Sequence, residues 1–268
     1  MSPRPDAESL ASLAAFANEL AAAAGKAILP HFRTPLAIDD KSDGSVFDPV
    51  TEADRAAETV MRRMIADRFP DHGIKGEEFP DHNPDAEHIW VLDPIDGTKS
   101  FVIGFAGWGT LIGLLHEGAP VLGLMSQPFT GEVFVGHGGE AHYRGPAGSR
   151  ALKSRPCGAL GEAMLTTTSP LLIEDEADLA RFRELEARVL LSRYGGDCYG
   201  YCMIADGHVD LVAETGLKMH DIVPLVPIIE GAGGVITDWK GGSPLAGGRV
   251  LAAGDPRVHA AALEVLSG

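Results

Sequence analysis

Apolar residues recur at helical spacing over residues 8–33 and again over 51–69, and the two stretches are separated by a polar, turn-rich segment at 39–49. The second stretch has Glu52 and Asp54 in its first turn and Arg68 in its last, which complements a helix dipole. From His88 the rhythm changes. Short apolar runs at 88–93, 108–118, 120–128, 131–136 and 140–145 predict three or four antiparallel strands. The stretch 145–158 is rich in Gly, Pro, Ser and basic residues and reads as a connection between two halves, 1–150 and 151–268. Beyond it the pattern predicts a strand at 163–168, a helix at 174–189, a further strand, a helix at 199–206 and a strand at 209–213. A helix at 221–231, strands at 234–238 and 250–253, and a closing helix capped by Asp255 with Pro256 in its first turn complete the reading. Alternation of this kind builds an α/β layer, so the fold class is α/β, layered, in two packed halves.

The chain of 268 residues has 22 Lys and Arg against 38 Asp and Glu, a net charge of −16. That charge repels nucleic acid and anionic membranes, and no basic tract reverses it locally. The N-terminal apolar stretch is preceded by Asp6 and Glu8 and interrupted at Gly25 and Lys26, so it reads as an amphipathic helix and not a signal peptide. No run approaches the roughly 18 apolar residues of a membrane span. The expectation is a soluble, cytoplasmic protein. Cys157, Cys198 and Cys202 form neither an even disulfide framework nor a CxxC pair, which points to a reducing compartment and argues against zinc.

The candidate chemistry centres on residues 90–101, WVLDPIDGTKSF, where an apolar strand runs into two carboxylates around a rigid Pro94 turn. Asp93 and Asp96 at i and i+3 can converge on one point, and hard oxygen ligands suit Mg²⁺; the Ile95 carbonyl is a further donor. Gly97 and Thr98 fall where a helix can begin, leaving backbone N–H groups for a phosphate. An ordinary Asp-Pro, Asp-Gly turn explains the same residues. Upstream, Glu77 and Glu78 can reach the cluster or form a solvated face. Asp48, just before a helix, is either a base or water-positioning group or a cap, and Asp221, at a later helix start, is a ligand or a cap.

Taken together these segments resemble the inositol monophosphatase superfamily. Lys41 with DPVTEAD (48–54), GEE (76–78), DPIDGT (93–98), and Asp221 followed by EGAGG (230–234) match its elements in order over nearly the whole chain. The resemblance implies an αβαβα sandwich of the inositol monophosphatase and fructose-1,6-bisphosphatase type, commonly dimeric, with the site between its halves. It implies two or three Mg²⁺ ions bound by Glu77, Asp93, the Ile95 carbonyl, Asp96 and Asp221. Gly97, Thr98 and Lys41 would contact the phosphate, and Asp48, Thr98 and Glu77 would be the catalytic groups, with Asp48 and Thr98 orienting the attacking water. His220 stands where many relatives have an aromatic residue, and packing or substrate contact is preferred for it over ligation.

Segments 108–118, 123–128, 195–218 and 231–242 look most like the histidinol-phosphatase branch, although Ser126 departs from the Asp common there. Histidinol phosphate carries cationic groups beyond its phosphate, so its site should supply anions. Asp197, and Glu214 seven residues before Asp221, are the candidates. The expected reaction is Mg²⁺-dependent hydrolysis of a small phosphate monoester by activated water, without a phosphoenzyme because no dedicated nucleophile is present at the site. Inositol 1-phosphate or another family substrate is the alternative. A non-catalytic phosphate-binding protein is disfavoured, since every carboxylate and Thr98 are present.

Overall fold

The computed structural model describes residues 7–35, 38–40 and 49–268. Helix α1 spans Ala7–Ile28, and the helical turn continues only through the 3₁₀ segment Leu29–His31, which contains Pro30. Strands β1 (Ile38–Asp40) and β2 (Pro49–Thr51) form a small antiparallel pair. Helix α2, Glu52–Arg68, is capped by Thr51, whose hydroxyl accepts the Ala53 N–H at 3.2 Å while Asp54 accepts the Thr51 N–H at 2.8 Å. The helix cap is therefore Thr51.

Seven strands follow in one sheet, in spatial order β3 (Gly73–Gly76), β4 (His88–Asp96), β5 (Gly109–His116), β6 (Ala119–Gln127), β7 (Glu132–His137), β8 (Glu140–Gly145) and β9 (Gly148–Ala151). Only β3 pairs parallel, with β4. The hydrophobic pattern implied three or four strands; β3 is four residues bounded by glycines, and β9 lies in the Gly- and Pro-rich stretch that reads as a connection. Between β4 and β5 lies the short helix α3, Thr98–Val102. The remaining elements are β10 (Met164–Thr167), α4 (Glu176–Glu186), β11 (Leu191–Tyr194), α5 (Asp197–Ala205), β12 (Leu211–Leu217), α6 (Met219–Ile222), α7 (Val226–Gly231), β13 (Val235–Asp238), β14 (Gly248–Ala253) and α8 (Pro256–Ser267). They build a second sheet of order β11-β10-β12-β14-β13. The single helix expected over 221–231 is two short pieces, because Pro224 lies between them and Pro227 falls in the first turn of α7, where its missing N–H is tolerated.

Strand alternation sorts the apolar side chains into layers. Ile112 and Leu114 face α1 and α2, which bury Phe16, Leu20, Met61 and Ile65. The neighbouring Leu111, with Met125 and Phe134, faces α5 and α7 on the opposite side of the sheet, where Tyr201, Ile228 and Ile229 are buried. Val212, Val250 and Ala252 close that middle layer from the second sheet. Leu211, Ala213 and Leu251 point away from it onto α4 and α8, against Phe182 and Val258. The order helices, sheet, helices, sheet, helices is the αβαβα sandwich that the resemblance implied. All three cysteines are buried and free, and no described helix is long and apolar enough to cross a membrane.

The middle layer docks through a track without side chains. Gly113 pairs with Gly123, and Gly123 with Gly136, so three glycines stand side by side across β5, β6 and β7. A Cβ at Gly123 would lie 1.8 Å from the Pro224 carbonyl oxygen, and one at Gly136 would lie 2.2 Å from that of Pro227. The backbone of 223–228 thus rests directly on the sheet, and it carries Asp221 with it. We predict that Gly123→Ala costs at least about 2 kcal/mol, in the range of overpacked cores, because backbone and not a flexible side chain blocks the methyl group. An unchanged urea midpoint would contradict this packing. At the other end of the chain, Asp255 accepts the Arg257 N–H at 2.8 Å and the Cys157 N–H at 3.1 Å, and the Arg257 guanidinium holds its carboxyl well below the usual carboxylate range. A depressed folded pKa stabilises above the unfolded value and loses that contribution as pH falls through the folded one. Asp255→Ala should therefore cost about 1–2 kcal/mol at neutral pH, with the difference from the parent shrinking in acid urea titrations below about pH 4.

Candidate active site

A regular strand would send Asp93 and Asp96 to opposite faces, since their separation is odd. The pairing of β4 with β5 resolves this: Asp93 lies opposite Leu111 and Asp96 opposite Gly109, so three steps on β4 match two on β5. This bulge at Pro94 and Ile95 restores a common direction for the two carboxylates. It is held by the Thr110 hydroxyl donating to the Pro94 carbonyl at 2.8 Å and by the Ile95 N–H donating to Asp93 Oδ1 at 3.0 Å. Gly97 then takes a left-handed φ of 83° and α3 begins at Thr98, as the turn residues suggested. A Cβ at Gly97 would lie 2.9 Å from the Asp197 carboxyl carbon, so Gly is also required by that close approach. Thr98 Oγ1 donates to the Ile95 carbonyl at 2.9 Å.

The second half of the chain delivers the other groups. Asp221, on α6, accepts the Lys218 N–H at 2.6 Å, and Asp96 accepts the Cys198 N–H at 2.6 Å from the start of α5. One oxygen each from Asp93, Asp96 and Asp221 lies within 4.8 Å of the other two, and ligand atoms of Glu77, Asp93 and His220 meet the same limit. Asp93 belongs to both groups. His220 Nε2 is 3.5 Å from Asp221 Oδ1, which brings this imidazole to the carboxylates and not merely into packing. Burial pushes the carboxyls of Asp93, Asp96 and Asp221 above their usual range, and carboxylate neighbours add to this in each case. Crowded, desolvated oxygens of this type fit a hard divalent cation, whose charge would reverse the repulsion.

Glu77 is positioned by residues that the sequence reading did not single out. Glu58 is fully buried on α2, accepts the Glu78 N–H at 2.8 Å and pairs with Arg62 at 2.6 Å. Arg62 also donates to the Phe79 and Pro80 carbonyls at 2.9 and 3.0 Å. A Cβ at Gly76 would lie 2.0 Å from Glu58 Oε1, so the strand end and the clamp interlock. The available signal, Glu and Arg four apart on a helix, is too common to mark this role. Glu78 belongs to neither carboxylate group.

The cleft, of about 360 Å³, is lined by Glu77, Asp93, Asp96, Thr98, Asp197 and Asp221, with Ile95, Gly97 and His220 also at its wall. Asp197 accepts from the Ser100 hydroxyl at 2.9 Å, and burial raises its pKa. Glu214 lines an adjoining recess of about 120 Å³. It is buried, accepts the Thr168 N–H at 2.6 Å and the Tyr201 hydroxyl at 3.0 Å, and has its pKa raised by desolvation. Lys41 and Asp48 lie outside the described residues.

A layered α/β sandwich with carboxylates converging beside a helix start is the arrangement of a metal-dependent phosphatase. The profile of the inositol monophosphatase family matches residues 9–267, and the chain belongs to that family. It is 45% identical over 264 residues to the bifunctional phosphatase IMPL2, chloroplastic, of Arabidopsis thaliana, covering 94% of this chain and 74% of that protein. It is 34% identical to the histidinol-phosphatase of Chlorobaculum parvum, covering 88% and 89% of the two chains. Among solved structures, an inositol monophosphatase from Zymomonas mobilis superimposes with a TM-score of 0.83 at 42% identity, covering 94% of this chain and 96% of that one.

Because the three aspartates repel one another without a cation, Asp93→Asn should unfold in chelator at a temperature equal to or above the parent's. It should also lose the rise in unfolding temperature that Mg²⁺ produces in the parent. A variant that is weaker in chelator and still gains fully from Mg²⁺ would contradict a shared cation site.

Proposed function

We propose that this protein is a Mg²⁺-dependent phosphatase acting on L-histidinol phosphate, releasing L-histidinol and phosphate. The observation that carries the phosphatase reading is the meeting of Asp93, Asp96 and Asp221 in one cleft. In this reading Glu77, Asp93, the Ile95 carbonyl, Asp96 and Asp221 hold two or three Mg²⁺ ions in a site between halves 1–150 and 151–268. Bound there, the cations would neutralise phosphate charge and lower the pKa of water for in-line attack. The chain supplies the rest. Backbone N–H groups of Gly97 and Thr98, with Lys41, receive the phosphate oxygens. Asp48 and Thr98 orient the water, with Glu77 as the third catalytic group, and the Thr98 hydroxyl is already fixed in direction by its bond to the Ile95 carbonyl.

Support for the substrate comes from two sides. Relatives named as histidinol-phosphatases match at 34–35% identity from Chlorobaculum parvum, Mycobacterium tuberculosis and Streptomyces coelicolor. Asp197 adds a further carboxylate to the cleft wall beyond the clustered ligands, suited to an ammonium or imidazolium. Glu214 accepts protein hydrogen bonds on both oxygens in the adjoining recess, whereas Asp197 lines the carboxylate cleft itself. Inositol 1-phosphate is the second reading, favoured by the similarity to the Zymomonas mobilis structure.

Phosphate release from histidinol phosphate and inositol 1-phosphate, measured side by side, tests the assignment; preference for the inositol ester would overturn it. Truncating one partner of a buried charge pair typically costs ~2 to 5 kcal/mol. Asp197→Asn should thus lower kcat/KM for histidinol phosphate at least about tenfold, and lower that for an uncharged alkyl phosphate by much less. Thr98→Ala should reduce kcat far more than it raises KM; a pure KM effect would move Thr98 from water alignment to substrate binding.

A further inference from the structure

At the end of β4 opposite its aspartates, a second group of metal-type ligands is assembled by strand register. His88 opens β4 and His116 closes β5, and they are direct antiparallel partners. Glu87 precedes His88, with its carbonyl accepting the Glu117 N–H at 2.8 Å. Glu87 Oε1 lies 3.5 Å from His116 Nδ1 and 3.9 Å from His88 Nδ1, and one donor atom from each of the three lies within 4.8 Å of the others. Ligands at about 2.0–2.1 Å in tetrahedral array around Zn²⁺ stand roughly 3.3 Å apart, so small side-chain movements close the site.

Independently of this geometry, His116 points to a missing partner. It is 3% exposed, and neither of its ring nitrogens makes a hydrogen bond. Buried imidazoles are ordinarily satisfied, and the Glu87 carboxylate lies 3.5 Å from Nδ1, longer than a good hydrogen bond. A cation between the two would give the His116 nitrogen the partner it lacks. His88 stacks on His72 at 4.9 Å between ring centroids, and its ring meets that of His116 at 4.6 Å with a 36° tilt. The His72 ring is fixed in turn by Trp90 Nε1 donating to its Nδ1 at 3.1 Å. This packing presets the ring orientations. Glu87 and His88 remain partly exposed, which leaves a path for an ion to enter.

We propose that Glu87, His88 and His116 form a structural site for a borderline divalent transition ion such as Zn²⁺, separate from the carboxylate cluster. Two imidazoles and one carboxylate select such an ion over Mg²⁺, which prefers oxygen. Cysteine spacing speaks against a thiolate-bound zinc and leaves a histidine site untouched.

The test uses the full chain saturated with Mg²⁺, given Zn²⁺ and dialysed against Mg²⁺ buffer. The parent and Asp93→Asn should each retain Zn²⁺ at one ion per chain, whereas His88→Gln and His116→Gln should bind it at least tenfold more weakly. His88, at the surface, is the safer substitution, and circular dichroism checks that each variant is folded. In the unsubstituted protein, ¹⁵N spectra should show the Nδ1 signals of His88 and His116 shifting on Zn²⁺ addition. The proposal fails if no Zn²⁺ is retained, or if those signals do not move. It fails equally if retention is lost in Asp93→Asn or His220→Ala and kept in His88→Gln.

Discussion

Like charges within 4.8 Å of one another are the constraint on which the site depends. At an effective dielectric of about 20, each such pair costs on the order of a few kcal/mol when ionised. Each aspartate of the trio is offset by one backbone donor, from Ile95, Cys198 and Lys218 respectively. Those donors come from three elements, β4, the start of α5 and the turn before α6, so the site requires both sheets to be in place. The repulsion that remains is what a cation would relieve, and the rest of the fold is organised to hold the carboxylates until one arrives.

The glycine track is the means by which that holding is done. A sheet bearing ordinary side chains would keep the backbone of 223–228 several ångströms farther away, and Asp221 would not reach Asp93. Gly113, Gly123 and Gly136 remove that spacing, and Pro224 breaks the helix so that the chain lies flat along the track before α7 begins. On the opposite face, the Glu58 and Arg62 clamp does for Glu77 what the track does for Asp221. Both devices are close approaches made possible by an absent side chain, at Gly123 to the Pro224 backbone and at Gly76 to the Glu58 carboxylate.

In the chain's second half, α5 places Asp197 over Gly97 and β12 buries Glu214 behind it. The two carboxylates differ in placement. Glu214 accepts from Thr168 and Tyr201 and shapes the recess, whereas Asp197 lines the cleft itself and accepts from Ser100 on α3. A difference of this kind separates a residue that defines the shape of a pocket from one that can meet a ligand's charge.

Much of this was legible along the chain because it is local. The helical period of α1 and α2, the Asp255 cap, the Asp93 to Asp96 spacing and the glycine that must turn before α3 each depend on a few adjacent residues, and each appears where the pattern puts it. The layered class followed from the alternation of strands and helices in the second half. What the sequence alone did not reveal depends on register and on layers meeting. The strands β3 and β9 are too short and glycine-bounded to carry a period of their own, and exist by pairing with neighbours. His220 reaches Glu77, Glu58 holds the Glu77 loop, three glycines align across strands, and His88 meets His116, all between residues 19 or more positions apart except within the glycine row, where the first step is ten. Such contacts are decided by which strand lies beside which and how far each has slid, quantities set by the packing of the whole sandwich and by no stretch of sequence within it.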